Sequence, residues 1–195
     1  MRNRTLRVSV EIALAVALAA VLNMPPLRLW TMPQGGEISL VMLPIFVIGL
    51  RHGLMPGLLA GLIASVPVYF TEPFVVHPVQ FGLDYPVAFG LLGLSGLFAP
   101  VWANATAEDR LGRAVWTAIL PAVVVGGAGR YIAHLVSGAV FFGEYAPEGQ
   151  PVWVYSAVYN LVVPISMVAC FVAAAIVLPV VTRVVPANRH AQEAR

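Results

Sequence analysis

The run Gly126-Gly127-Ala128-Gly129-Arg130-Tyr131-Ile132-Ala133-His134-Leu135-Val136-Ser137-Gly138-Ala139-Val140-Phe141-Phe142 decides how this chain is read. It is apolar enough for lipid, yet it carries Arg130 and His134 one helical turn apart. After a short polar loop, Trp153-Val154-Tyr155-Ser156-Ala157-Val158-Tyr159-Asn160 repeats the mixture. In a membrane such side chains are costly unless they face one another, water or a ligand, so the cluster marks a candidate site.

Working outward, the composition names the solvent. Of 195 residues, 59% are hydrophobic and only 10% charged, with a mean hydropathy of +0.86. That excludes an ordinary soluble domain and indicates an all-α integral membrane bundle. The length suits about six spanning helices of roughly 20 residues each. They form one membrane domain over residues 1–185, followed by a polar tail at 186–195 that is expected to fray. Cys170 is the single cysteine, so no internal disulfide or thiol-rich metal site exists. The apolar run Leu6 to Leu22 lacks an obvious cleavage site and reads as a retained first helix.

Helix 1 is expected over Leu6–Leu22, helix 2 over Ile38–Leu50, helix 3 over Leu54–Phe70, helix 4 over Val79–Trp102, helix 5 over Ala114–Phe142 and helix 6 over Val152–Val185. The breaker-rich segment Asn23 to Glu37 is expected to be a loop. Trp30 within it reads either as a headgroup anchor or as a cap over a binding site. Glu11 reads as an interfacial charge paired with Arg4 or Arg7. Pro44, Pro56 and Pro67 mark helices 2 and 3 as segments that can tilt or break near a site.

The arginines set the orientation, there being no lysine. With both termini cytoplasmic, Arg2, Arg4, Arg7, Arg51, Arg110, Arg113, Arg183, Arg189 and Arg195 lie inside, Arg28 lies outside and Arg130 lies within helix 5. Glu37, Glu72, Asp84, Glu144 and Glu148 then fall on or near the outer side, which favours a cationic solute.

Counting about 1.5 Å per residue from the outer ends puts Asp84 roughly 8 Å deep, His134 and Asn160 roughly 12 Å and Tyr155 roughly 5 Å. Arg130, His134, Gly138 and Phe142 recur every four residues along one face. Tyr155 and Asn160 stand about 140° apart on an ideal helix, so Tyr155 is expected to reach in from a frayed end, with Tyr159 a second candidate for the same task. A carboxylate supplies counter-charge, His and Asn supply donors and acceptors, and aromatic faces attract cations. The implied ligand is small, aromatic and cationic, with Gly138 leaving space for its ring. The structural alternative for Asp84 is a pair with Arg130.

Leu83-Asp84-Tyr85-Pro86 with Ala88-Phe89, Gly129-Arg130 with His134 and Ser137-Gly138, and Tyr155-Ser156 with Tyr159-Asn160 together resemble the thiamine-specific substrate-binding subunits of energy-coupling factor transporters, the ThiT family. The likeness extends to Pro33-Gln34-Gly35-Gly36 with Ile38-Ser39-Leu40 and to the Ala-rich helix 1. It implies a multi-pass protein of the prokaryotic cell membrane that captures extracellular thiamine. The implied ligand residues are Trp30, Asp84, Tyr85, His134, Gly138, Phe142, Tyr155 and Asn160. Phe142 replaces a tryptophan expected to stack on the ligand, Asp84 replaces a familiar glutamate, and Trp30 has no firm counterpart. Helix 1 would dock on a transmembrane coupling subunit through Ala13 with Ala17, or Ala15 with Ala19. Two ATP-binding-cassette subunits would supply energy, since a chain without lysine has no P-loop. The lipid bilayer is the remaining partner, nucleic acid is not among them, and the resemblance implies no cofactor, metal or catalytic residue.

The alternatives are a subunit for another small aromatic vitamin or a stand-alone secondary transporter, although no internal repeat is apparent. Gly93-Leu94-Ser95-Gly96 looks like an intramembrane serine protease signature, but Ser95 lies roughly 24 Å down helix 4 against roughly 12 Å for His134 on helix 5. The nucleophile could not reach its base, so the motif reads as helix packing.

Overall fold

The computed structural model describes residues 2–32, 36–71, 73–108 and 110–185. Pro33, Gln34 and Gly35, the outer Glu72, Asp109 and the tail with Arg189 and Arg195 lie outside the described residues. Six helices follow in order: α1 Arg2–Leu22, α2 Leu43–His52, α3 Leu54–Thr71, α4 Pro78–Ala107, α5 Leu111–Phe141 and α6 Val152–Val184. All except α2 are long and apolar enough to cross a membrane.

Helix 2 begins later than Ile38 because Glu37–Ile38 forms a strand, β2, antiparallel to β1 at Trp30–Thr31. Trp30 pairs with Ile38 and Thr31 with Glu37. Of the segment expected as loop, Pro25–Leu27 is a 3₁₀ turn. The ten residues of α2 span only about 15 Å, half of a hydrocarbon core. The backbone leading into it is therefore non-helical at membrane depth, which is tolerated only when buried in protein and hydrogen-bonded. Ser39, Val41 and Met42 are fully buried, Ser39 N donates to Ser166 Oγ at 3.2 Å and Cys170 Sγ donates to Ser39 O at 3.8 Å. Cys170 thus combines packing with a weak hydrogen bond.

Gly53, with φ of 97°, ends α2 and turns the chain into α3 within one residue, a backbone conformation that other residues adopt only with strain. Helices α3 and α4 then meet backbone to backbone. A Cβ on Gly61 would lie 2.0 Å from Phe89 O, and one on Gly93 would lie 2.2 Å from Leu58 N. Small residues make such close packing possible in lipid. Ser95 on α4 packs just as closely against α2: it is fully buried, and a Cβ on Gly49 would sit 2.2 Å from its hydroxyl. Phe46, Phe89, Leu92, Ile119 and Leu178 fill the centre, while Leu14, Ile63, Phe70, Val172 and Ile176 face outward, as expected where lipid rather than water is the surrounding solvent.

Opposite the ribbon, Glu11 is a hub. Arg7 Nε donates to its Oε1 at 3.0 Å, while Arg51 Nη2 and His52 Nε2 meet Oε2 at 3.1 and 2.7 Å. Arg51 Nη2 also donates to Val185 O at 2.9 Å. The expected pair with Arg7 is present, but the hub also ties α2 and the end of α6 to α1. Because the Arg51 side chain is 1% exposed, stranding its charge should cost about 3 kcal/mol or more. Glu11→Ala is expected to lower the melting temperature in detergent markedly; an unchanged melt would show that the hub contributes nothing to stability.

Candidate functional site

Three helical irregularities build the site, and prolines mark two of them. In α4 the segment Leu83–Val87 is a π-helical turn containing Pro86. Pro86 cannot donate to the carbonyl four residues earlier, so the turn widens where Asp84 and Tyr85 sit. In α6 the helix Val152–Tyr159 stops and restarts at Val162, because Pro164 cannot bond the Asn160 carbonyl. Tyr155 and Asn160 line one cavity despite their separation on an ideal helix, and the helix stays regular up to Asn160, whose N–H donates to Ser156 O at 3.0 Å. At the end of α5, Phe142 leaves helical geometry with φ of −127°.

These elements enclose a cavity of about 610 Å³ at the end away from the Glu11 hub. Gln80, Asp84, Tyr85 and Phe89 line it from α4, Arg130, His134 and Gly138 from α5 with Phe142 just beyond, and Tyr155, Ser156, Tyr159 and Asn160 from α6. Asn23, Arg28, Gly36 and Glu37 approach from the α1–α2 connection, and Phe74 from the α3–α4 loop. Of the residues expected to bind ligand, Asp84, Tyr85, His134, Gly138, Phe142, Tyr155 and Asn160 come together. Trp30 does not: it lies on the ribbon, 51% exposed, outside the cavity wall.

A continuous polar line crosses the wall. Gln80 Nε2 donates to Asp84 Oδ2 at 2.6 Å, His134 Nδ1 meets Asp84 Oδ1 at 2.9 Å and Arg130 Nε donates to His134 Nε2 at 3.2 Å. An arginine Nε can only donate, so His134 Nε2 accepts and the ring proton sits on Nδ1, pointed at the carboxylate. Asp84 and Arg130 are thus joined through a neutral imidazole. The Arg130 guanidinium lies 4.4 Å from the centroid of Phe89, and its buried Nη1 has no hydrogen-bond partner. At the mouth, Arg28 Nε contacts Glu37 Oε2 at 2.5 Å and Asn23 O at 2.8 Å.

Aromatic rings supply the rest of the surface. Tyr69 holds Tyr85 edge-on at 5.2 Å, Phe74 stacks on Phe142 at 5.8 Å, and Tyr155 and Tyr159 lie 6.0 Å apart. Gly138 lines the cavity and has a packing task that its spacing did not suggest. The Cβ it lacks would lie 2.3 Å from Ser156 Oγ and 3.3 Å from Asn160 Nδ2, so its smallness admits α6. Ser156 Oγ then donates to Leu135 O at 2.8 Å, and Asn160 Nδ2 donates to Ser156 O at 2.9 Å.

With this geometry in view, the family described as Thiamine transporter protein matches residues 9–187. The chain belongs to the thiamine transporter family. Within it, the thiamine transporter ThiT of Bacillus subtilis (strain 168) is 43% identical over 170 residues, covering 87% of this chain and 86% of that one. ThiT of Lacticaseibacillus paracasei is 32% identical over 163 residues, covering 82% and 80%. A solved structure of ThiT from Listeria monocytogenes superposes with a TM-score of 0.78 at 28% identity, over 94% of this chain and 97% of that one. The resemblance drawn from the residues is borne out, and the chain is a multi-pass bacterial membrane protein of the thiamine transporter family.

Sequence reasoning passed over Gln80, Arg28, Phe74 and Phe89 in this thiamine transporter site. Gln80 did carry a signal, lying four residues before Asp84 on one helix face. Phe74 carried none, because a loop has no periodicity to read.

The close contact at Gly138 gives a direct check. Gly138→Ala should overpack the α5–α6 contact at a cost of about 1 to 3 kcal/mol, seen as a lower melting temperature. Adding Ser156→Ala removes the nearest clashing atom and should recover part of the loss; a neutral Gly138→Ala would contradict the packing role.

Proposed function

We propose that the chain captures thiamine at the outer membrane surface and delivers it as the substrate-binding subunit of an energy-coupling factor importer. The observation carrying this reading is the line Gln80–Asp84–His134–Arg130 along an aromatic cavity in a chain 43% identical to a named thiamine transporter. Thiamine joins an aminopyrimidine to a permanently cationic thiazolium bearing a hydroxyethyl arm. Asp84 suits the cation or the ring amine, the faces of Tyr85, Phe142, Tyr155 and Tyr159 suit flat cationic rings, and the unpartnered Arg130 Nη1 suits the arm's oxygen.

Asp84→Asn removes charge while preserving shape. Losing a charged hydrogen-bond partner commonly costs about 1.5 to 3 kcal/mol, or roughly tenfold to 150-fold in affinity. Binding of radiolabelled thiamine to the purified chain tests this. Unchanged affinity in a stable Asp84→Asn protein would remove Asp84 from the ligand shell.

Delivery requires partners, and α1 offers two alanine registers with opposite surroundings. Ala15 packs with Ile48 and Ala60, and Ala19 is part of the main core, so this pair is occupied by the chain's own helices. Ala13 and Ala17 are exposed, alongside Val10, Leu14, Leu18 and Val21. Of the two pairs raised by the sequence, only Ala13 with Ala17 can serve a coupling subunit. Ala17→Trp is expected to abolish thiamine uptake by the assembled importer while leaving binding intact, whereas Ala15→Trp should destabilise the isolated chain. Wild-type uptake with Ala17→Trp would exclude this face. Proteoliposomes holding the chain alone should bind thiamine without concentrating it.

A further inference from the structure

The first turn of α4 places Gln80 beside Asp84, and Gln80 is a large polar side chain only 2% exposed. Burial of an amide is unfavourable unless each of its groups finds a partner. All of them do. Nε2 donates to Asp84 Oδ2 at 2.6 Å and to Phe74 O at 3.3 Å, while Oε1 accepts from Val76 N at 3.2 Å. The orientation follows from the partners. Reversing the amide would aim its oxygen at two acceptors and its hydrogens at a donor.

We infer that Gln80 is a positioning residue for ligand recognition: it orients the Asp84 carboxylate without neutralising it and ties that carboxylate to the loop bearing Phe74. Torsions next to a planar group such as a carboxylate have broad minima, so one contact would leave Asp84 free to swing. Gln80 on Oδ2 and His134 on Oδ1 hold both oxygens. Each oxygen keeps a further lone pair for a ligand. The chemical class of the two clamps matters. An amide and a neutral imidazole orient the carboxylate while its negative charge stays available to a cation, and the guanidinium of Arg130 stands one residue further back, behind His134. A lysine at position 80 would hold the same oxygen and cancel that charge. The loop bonds mean that the setting of Asp84 is also the setting of Phe74, whose ring stacks on Phe142 across the cavity.

This inference rests on the reading of Asp84 as thiamine's partner, and the test separates the two. Thiamine affinity, titrated to millimolar concentration, and melting temperature are measured for the full chain, Gln80→Met, Asp84→Ala and the double variant. Methionine keeps length and volume but removes both donor and acceptor. Gln80→Met is expected to weaken binding about tenfold. In the Asp84→Ala background the same change should cost less than twofold, because Gln80 acts through the carboxylate. A residue that merely anchored the loop would move the melting temperature and cost the same in both backgrounds. That result overturns the inference, as does wild-type affinity in a folded Gln80→Met. If Asp84→Ala alone binds normally, the underlying reading of Asp84 fails instead. Should Gln80→Met not fold, Gln80→Lys replaces it, with a loss beyond tenfold expected and unchanged affinity overturning the proposal.

Discussion

A carboxylate held among the outer turns of a lipid-embedded bundle must be surrounded by donors, and the hydrogen bonds to Asp84 meet that requirement from two helices. Gln80 approaches from its own helix and His134 from α5. Much of the outer half depends on this meeting. The histidine is fixed from behind by Arg130, Gln80 ties down the backbone of the α3–α4 loop, and that loop brings Phe74 against Phe142. Remove the carboxylate, and Gln80 on α4 and His134 on α5 each lose a hydrogen-bond partner.

The site exists because the helices are imperfect. A regular α4 would carry Asp84 and Tyr85 at a different rotation, and Pro86 prevents that by withholding a backbone donor. Pro164 likewise interrupts α6 just beyond Asn160. The irregular backbone is tolerated because neighbouring helices and side chains enclose it. By contrast, the α3–α4 seam is held by direct backbone approach at Gly61 and Gly93. A rigid glycine seam beside a widened turn gives the cavity one firm wall and one shaped by side-chain hydrogen bonds.

The two ends of the molecule divide its electrostatics. At one end Glu11 gathers Arg7, Arg51 and His52 into a structural hub, and at the other Asp84 is held by neutral groups so that its charge remains usable. Helix α1 belongs to both arrangements. It bears Glu11 near its start, Asn23 at the cavity beyond its end, and between them an outward face of Ala13 and Ala17 that is exposed among the described residues. The cavity and the exposed alanine face thus lie on separate surfaces of one bundle, connected by a single helix.

How much of this was legible follows from what a linear chain can encode. Apolar composition determined the solvent, the arginine distribution set an expected orientation, and residue counts set an expected depth, so Asp84, His134 and Asn160 could be assigned one level before any fold was known. Rotation about each helix axis was another matter. Spans apolar all round have no polar stripe from which their phase can be read, and so the sequence left Ala13 with Ala17 and Ala15 with Ala19 equivalent; packing of α1 on α2 and α3 separated them. The same applies to Gly138, whose packing against Ser156 its spacing did not show, and to Trp30, which pairing with Ile38 carried away from the cavity. Gln80 was legible in its spacing from Asp84, whereas Arg28 and Phe74 reached the site from connecting segments without periodicity. Depth is additive along the chain, whereas orientation is decided by which neighbours pack against each face, and only the assembled tertiary structure supplies those neighbours.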